Sequence, residues 1–158
     1  MVPFLLPVAV ALMSALAVGL VIFLRYYQVA TPGTALVRKD QNHQQRVVLL
    51  GGAFGPSSAF DRLLMTDREI EIELPPTSPG RAVLSLRPAP NEAAVLQIAA
   101  SLGCDKANDV DAVAQSLQSA LKNDLSNADW ATFEARARVV VESELPGFTM
   151  TAAAMNKN

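Results

Sequence analysis

The side chains that could do chemistry are few in this chain, and they lie far apart. The only histidine, His43, sits in a polar stretch from Gln41 to Gln45, and the only cysteine is Cys104. A general base or a nucleophile needs convergent titratable groups, and one histidine with one distant cysteine does not make an ordinary structural zinc site. We therefore predict an exposed loop position for His43, and we predict no catalytic residue, no metal and no cofactor.

Cys104 is the remaining candidate nucleophile. It follows Gly103 at the end of a predicted helix, and the charge of nearby Lys106 would lower the pKa of its thiol. Because no histidine lies near it in the sequence, we interpret it as a small, semi-buried thiol. A single cysteine also rules out an intrachain disulfide, which agrees with a reducing compartment.

Two other patterns imitate binding sites. The glycines Gly51, Gly52 and Gly55 lack the Lys-Ser/Thr pair of a phosphate loop, so we interpret them as turn residues. A row of carboxylates that could suit a metal ion alternates with apolar residues: Glu69, Glu71 and Glu73. Alternation of this kind is typical of a strand with one solvated face, and we prefer that interpretation.

An apolar run at the amino terminus determines whether the rest of the chain is held at a membrane. Residues 4–24 are 21 uncharged, mostly apolar residues, and as a helix they would measure roughly 31 Å, the thickness of a bilayer core. A signal peptide has a basic start and an apolar stretch of only about 7–15 residues. Ala15-Leu16-Ala17 resembles a cleavage site, but the apolar run continues past it to Leu24. We therefore predict an uncleaved anchor over residues 1–25, which spans or inserts into the membrane.

The charges beside this run predict its orientation. Four basic residues follow it and none precedes it: Arg25, Arg38, Lys39 and Arg46. The positive-inside rule then places the rest of the chain in the cytoplasm, at the cell (inner) membrane. Tyr26 and Tyr27 fit an interfacial aromatic anchor, and they also fit the start of a strand.

Residues 26–152 are predicted to form one α+β domain, followed by a short tail at 153–158 with no coiled coil. Thirteen basic and 15 acidic residues nearly balance, so nothing indicates a nucleic-acid surface. Alternation and turn residues predict strands at 35–37, 47–50, 68–74, 81–87 and 148–151. The turn after 68–74 is predicted at 75–80, where three prolines and a glycine fall.

Three helices are predicted between the last two of these strands. Asn91 is the N-cap of the first, and Asn108 or Asp109 that of the second. The third follows an approximate capping box at 126–129, and its apolar face carries Trp130 and Phe133. The expected fold is an antiparallel sheet with these helices on one side.

Three segments resemble the flotillin branch of the stomatin/prohibitin/flotillin (SPFH, band 7) superfamily. They are the membrane segment with YYQVATPGTALVR at 26–38, RVVLLGGAF at 46–54, and the REIEIEL strand at 68–74. The helical half and GFTM at 147–150 follow that family's order of elements. The resemblance implies an SPFH-like fold and large ring-like or cage-like homo-oligomers that organise membrane microdomains and sequester membrane proteins or proteases.

The chain also departs from that family. Gly55-Pro56-Ser57-Ser58 replaces an apolar run after GGAF, and the long coiled coil that builds the cage wall is absent from the sequence. The resemblance then implies the membrane-proximal base alone. Such a base would associate laterally with itself or join rings made by a longer SPFH relative.

The predicted function is a non-enzymatic membrane scaffold. Two alternatives stay open: an adaptor bound to a membrane protease or transporter, and a periplasmic binding module behind a signal anchor, which needs the reverse orientation.

Two sets of site residues follow from this prediction. The set expected at the membrane lipid interface is Arg25, Tyr26, Tyr27 and Phe60, where Phe60 is equally open to a core position. Phe54 is predicted to lie in the core. The set expected in lateral association is Glu69, Glu71, Glu73, Arg81 and Arg87; alternatively, these charges solvate the sheet and pair within one chain.

Overall fold

An apolar helix, a strand-rich half and a helix-rich half follow one another along the chain. The structure, a computed structural model, describes residues 5–39, 45–73, 81–124 and 130–156. The helices are α1 (Leu5–Tyr26), α2 (Glu92–Ser101), α3 (Cys104–Asn108), α4 (Val110–Asp124) and α5 (Trp130–Glu144). The strands are β1 (Tyr27–Ala30), β2 (Thr34–Arg38), β3 (Arg46–Val48), β4 (Gly51–Phe54), β5 (Phe60–Leu64), β6 (Arg68–Glu73), β7 (Arg81–Pro88) and β8 (Phe148–Asn156). The fold is mixed α+β with antiparallel strands, as predicted, but the described strands form three small sheets and not the single sheet that was expected.

The sheet β6-β7-β8 has one buried and one exposed face. In β6 the apolar residues Ile70 and Ile72 are buried, and the glutamates between them are exposed. Ile70 lies opposite Leu84, and Ile72 lies opposite Ala82, so the apolar residues of neighbouring strands share the buried face. The helices α4 and α5 pack on this face, which confirms the predicted alternation.

The sheet β3-β2-β5 is covered on both faces. Its central strand β2 shows this, since three consecutive residues, which point alternately to the two faces, are all buried. Ala35 and Val37 point into the main core. Leu36 points the other way, into a small cluster with Ala30 and Phe60. The two-stranded sheet β1-β4 supplies the cover on that second face, since Ala30 belongs to β1.

Side-chain caps fix the starts of two helices. Asn91 Oδ1 accepts a hydrogen bond of 2.8 Å from the Ala94 N–H, which confirms the predicted N-cap of α2. Asp109 Oδ1 accepts one of 3.0 Å from the Asp111 N–H at the start of α4. Asn108, the other candidate, instead fastens α3 to β5: its Nδ2 donates to the Arg62 carbonyl at 2.6 Å.

Arg68 is a buried charge that the alternation did not predict. It is only 6% exposed, and burial lowers the pKa of its guanidinium. Its Nη2 donates to the Leu64 carbonyl at 2.6 Å, and its guanidinium lies 5.4 Å from the centre of the Phe148 ring. Arg68 thus ties the turn between β5 and β6 to the start of β8.

Several predicted boundaries were wrong. Gly51 and Gly52 belong to β4 and are not turn residues, while the predicted strand 47–50 ends at Val48. Three elements were not predicted: β4, β5 and the short helix α3. The strand β8 continues to Asn156, beyond the predicted end of the domain at 152.

Phe133 is buried as predicted. Other predictions fall outside the described residues: His43, the turn at 75–80, the capping box at 126–129 and the side chain of Trp130.

Candidate membrane-interface site

The helix α1 is long and apolar enough to cross a membrane. The segment Pro7–Tyr26 has a mean hydropathy of 2.5, and none of it is buried against the rest of the protein. Its only charged residue, Arg25, lies in the last turn. The helix continues directly into β1 at Tyr27, so the folded domain begins where the apolar segment ends.

A hydrogen bond and two ring contacts attach this helix end to β1 and β4. The Tyr26 carbonyl accepts a hydrogen bond of 2.8 Å from the Gly55 N–H. The Tyr26 ring stacks on Phe54 with the centroids 6.2 Å apart. Phe23, one turn earlier, stacks on Tyr27 at 4.7 Å. Two stacked aromatic pairs therefore connect the last turn of α1 to β1 and β4.

Exposed apolar side chains lie at this junction and along the strands that leave it, and we name them the aromatic collar: Tyr26, Tyr27, Val29, Leu50 and Phe54. Leu50 is 90% exposed and Phe54 is 54% exposed. The register of β1 and β4 places Tyr27 opposite Phe54 and Val29 opposite Gly52. Ala30 on β1 turns to the small core, so the alternate residues Tyr27 and Val29 face away from it. The collar is thus an outward apolar surface that begins at the end of α1 and continues along β1 and β4 to Leu50, next to Gly51 and its partner Ala30.

Phe60 and Phe54 lie on opposite sides of this part of the domain. Phe60, which was expected at the membrane interface or in the core, is only 9% exposed and packs with Ala30 and Leu36. Phe54, predicted for the core, is exposed, because it lies on the outward face of β4 opposite Tyr27. The interface assignment is therefore wrong for Phe60, its core alternative is confirmed, and the core prediction is wrong for Phe54. Arg25, Tyr26 and Tyr27 are exposed at the helix end.

The collar residues Val29, Leu50 and Phe54 were missed because the sequence places them in ordinary apolar runs. The glycine pair before Phe54 was the available signal. Gly52 lies under the ring of Tyr27, and a residue without a side chain in a strand often marks a close approach of this kind.

The residues predicted for lateral association lie on the exposed face of β6-β7-β8. Glu69, Glu71 and Glu73 are exposed along β6. Arg81 Nη1 lies 3.5 Å from Glu71 Oε2, and both side chains are more than half exposed. Arg87 Nε donates to the Met65 carbonyl at 3.3 Å. Within this set of residues, Glu71 and Arg81 form an ion pair, and Glu69 and Glu73 make no ion pair with any described residue.

An open cleft of about 300 Å³ lies between β2, β5 and α3. Lys39 Nζ and Asp61 Oδ2 form an ion pair of 2.8 Å at this cleft, and the hydrogen bond to Asp61 raises the pKa of Lys39. Cys104 also lines it but is only 3% exposed. Burial raises the pKa of this thiol to about 11, so the predicted lowering by Lys106 was wrong. A protonated, buried thiol is a poor nucleophile.

Among the described residues, no three His, Cys, Asp or Glu side chains lie close enough together to hold a metal ion. No family model matches the chain, and no curated protein matches it significantly. The relation to the flotillin branch therefore stays a prediction from the three sequence segments.

Proposed function

We propose that this protein is a membrane-anchored, non-enzymatic scaffold that self-associates at the membrane surface. The observation that carries the proposal is α1, a long apolar helix with no part buried in the protein. An apolar surface of this size is stable only in lipid or against another protein. The aromatic collar extends the apolar surface into the domain, where amphipathic rings suit the headgroup level of a bilayer.

The cytoplasmic side is the proposed location of the domain. Arg25, Arg38, Lys39 and Arg46 follow the helix, and positive charge near the end of a span favours the cytoplasmic side. The resemblance to the SPFH superfamily agrees with this placement and with a scaffold role.

The strand β8 supports self-association. It lies at an edge of its sheet and pairs only with β7 among the described strands. It carries no charged residue over Phe148–Asn156, and proline, lysine and other charges are what usually protect such an edge. We infer that neighbouring chains meet along this edge and along the charged face beside it, which holds Glu69, Glu71, Glu73, Arg81 and Arg87.

Membrane anchoring is tested by extraction. The full chain should remain with membranes after carbonate treatment, and Leu16→Arg should release it, because a charge at the centre of a span costs about 2.5–3.5 kcal/mol. Val2→Arg is the control, since it adds the same charge outside the apolar run. A mature chain that begins just after Ala17 would show a cleaved signal peptide and contradict the anchor.

Self-association is tested by the particle size of gently solubilised protein. Ala152→Lys places a charge on the exposed part of β8 and should shrink the particle, whereas Gln115→Lys on the exposed side of α4 should not. Glu71→Arg should also shrink it. The exchange Glu71→Arg with Arg81→Glu keeps the ion pair within the chain. A smaller particle in this double variant would show that the two charges contact a neighbouring chain, whereas a particle of wild-type size would show that only the pair within the chain matters. A wild-type particle of one chain would overturn self-association and leave the anchor intact.

A further inference from the structure

Two arginines of like charge lie directly opposite each other on the sheet β3-β2-β5, which packs against the collar strands β1 and β4 through the small core. In the register of β2 and β3, Arg38 pairs with Arg46. Side chains directly opposite in an antiparallel pair are about 4.5–5.5 Å apart at Cβ, and like charges there are destabilising. An anion that binds beside both arginines would relieve this repulsion.

Such a negative charge is not supplied by the described part of the chain. The described ion pairs are Lys39–Asp61, Arg81–Glu71 and Arg138–Glu134, and none includes Arg38 or Arg46. Neither arginine side chain donates a hydrogen bond to a described residue. Asp61 lies on the opposite face of the sheet, because its partner is Val37, which points into the main core.

Arg62 adds a third positive charge to the same face. It lies opposite Leu36 on β2, and Leu36 shares its face with Arg38 two residues further on. Arg62 is exposed and makes no side-chain ion pair among the described residues. The amino-terminal part of the sequence is also the more basic part: the first 65 residues hold five Lys or Arg and two Asp or Glu, although the whole chain holds 13 and 15.

A short series of contacts places this charge beside the end of α1. The Tyr26 carbonyl is bonded to the Gly55 N–H at 2.8 Å. Gly55 lies against the ring of Phe60, and Phe60 on β5 is opposite Arg38 on β2. On the other edge of β2, Arg38 is opposite Arg46 on β3. Arg25 adds a fourth arginine in the last turn of α1, one residue before Tyr26.

We propose that Arg25, Arg38, Arg46 and Arg62 form a binding surface for the phosphate groups of anionic phospholipids in the bilayer that holds α1. Guanidinium groups bind phosphate oxygens in a bidentate way, and exposed arginines next to an apolar anchor are attracted to anionic leaflets. The lipid phosphates supply the negative charge that the pair Arg38–Arg46 does not receive from the described residues. The inference rests on the proposed anchor and not on self-association.

The test uses the full chain in nanodiscs of phosphatidylcholine with a minor fraction of phosphatidylglycerol. Trace photoactivatable forms of both lipids report which lipid lies next to the protein. Each arginine near an anionic surface contributes about a fivefold preference, so Arg38→Gln with Arg46→Gln should lower the enrichment of phosphatidylglycerol at least about fivefold. The enrichment of the wild type should fall as salt rises, because exposed charges are screened.

The matched control is Arg136→Gln with Arg138→Gln on α5, which changes the net charge equally on another surface. It should leave the enrichment unchanged. The melting temperature separates a structural role from lipid binding: Arg38→Gln with Arg46→Gln removes a repulsion, so it should leave the melting temperature unchanged or raised.

Three results would overturn the inference. They are equal enrichment in the wild type and the Arg38/Arg46 variant, an equal loss in the control, and a lower melting temperature that accounts for the loss. Release of the chain from the nanodisc would instead show that the anchor itself is wrong. A wild type that crosslinks to a second chain in place of lipid would assign this surface to self-association.

Discussion

The ring of Tyr27 lies over the backbone of Gly52, its diagonal neighbour on β4, and leaves no room there for a side chain. A ring that covers a strand glycine protects its backbone from water and holds the two strands together. This contact fixes the direction of Tyr27 and with it part of the aromatic collar.

Gly52→Ala should therefore destabilise the junction of helix and domain. The added Cβ would overlap the Tyr27 ring and lie 2.9 Å from the Gln28 carbonyl oxygen. Overpacking of this kind costs about 1–3 kcal/mol. Thermal unfolding of the detergent-solubilised full chain, followed by circular dichroism, should show a lower melting temperature.

The double variant Tyr27→Ala with Gly52→Ala is the control for this contact. It should recover part of the loss from Gly52→Ala, because the ring is gone while the close backbone oxygen remains. An unchanged melting temperature in Gly52→Ala would show that the ring is free to move away.

Phe54 and Phe60 provide a matched comparison of an exposed and a buried ring. Phe60→Ala should cost about 3 kcal/mol or more, because its ring fills the small core with Ala30 and Leu36. Phe54→Ala should change the free energy of unfolding by less than about 1 kcal/mol, since the ring is more than half exposed. Both are measured by thermal unfolding in the same detergent. Equal losses would place both rings in the core.

Gly147 is held against α2 in a backbone conformation that favours glycine. Its φ is +95°, and a Cβ there would overlap the Ala94 carbonyl and lie 2.8 Å from Ile98 Cγ1. Gly103 has a similar φ of +82° but no atom within 4 Å of a Cβ. Gly147→Ala should therefore lower the melting temperature more than Gly103→Ala does, and the difference measures the contact with α2. Similar losses would mean that backbone strain alone explains both.

The predictable parts of the fold were those with a strong local pattern. The alternation from Arg68 to Glu73 fixes which face of β6 is buried whatever its neighbours are, since the side-chain period of a strand is two. Asn91 and Asp109 act on backbone groups only two or three residues away, so their cap roles are local as well.

The parts that were missed depend on distant partners. β4 contains two glycines, which weaken a strand in isolation, and its pairing with β1 and the cover of Tyr27 are visible only in the fold. In β5, Asp61 and Arg62 interrupt the apolar pattern, and Asn108 from the far end of α3 holds the strand in place. The pair Arg38–Arg46 likewise depends on the register of β2 and β3.

The raised pKa of the buried Cys104 thiol makes the stability of the protein depend on pH in the alkaline range. Burial raises the pKa of its thiol from 9.0 to about 11, so the folded protein keeps this proton after the unfolded chain has lost it. Between these two values the folded state binds more protons, and its stability must fall as the pH rises from about 9 to about 11. Cys104→Ala removes this titration while Lys39 and Asp61 of the same cleft remain. The wild type should therefore lose more of its melting temperature than Cys104→Ala over this range, and the native thiol should react slowly with a disulfide reagent at pH 8 until the protein is unfolded. If the two proteins show parallel pH profiles and the native thiol reacts as fast as the unfolded one, Cys104 is accessible to solvent and the cleft is more open than the structure shows.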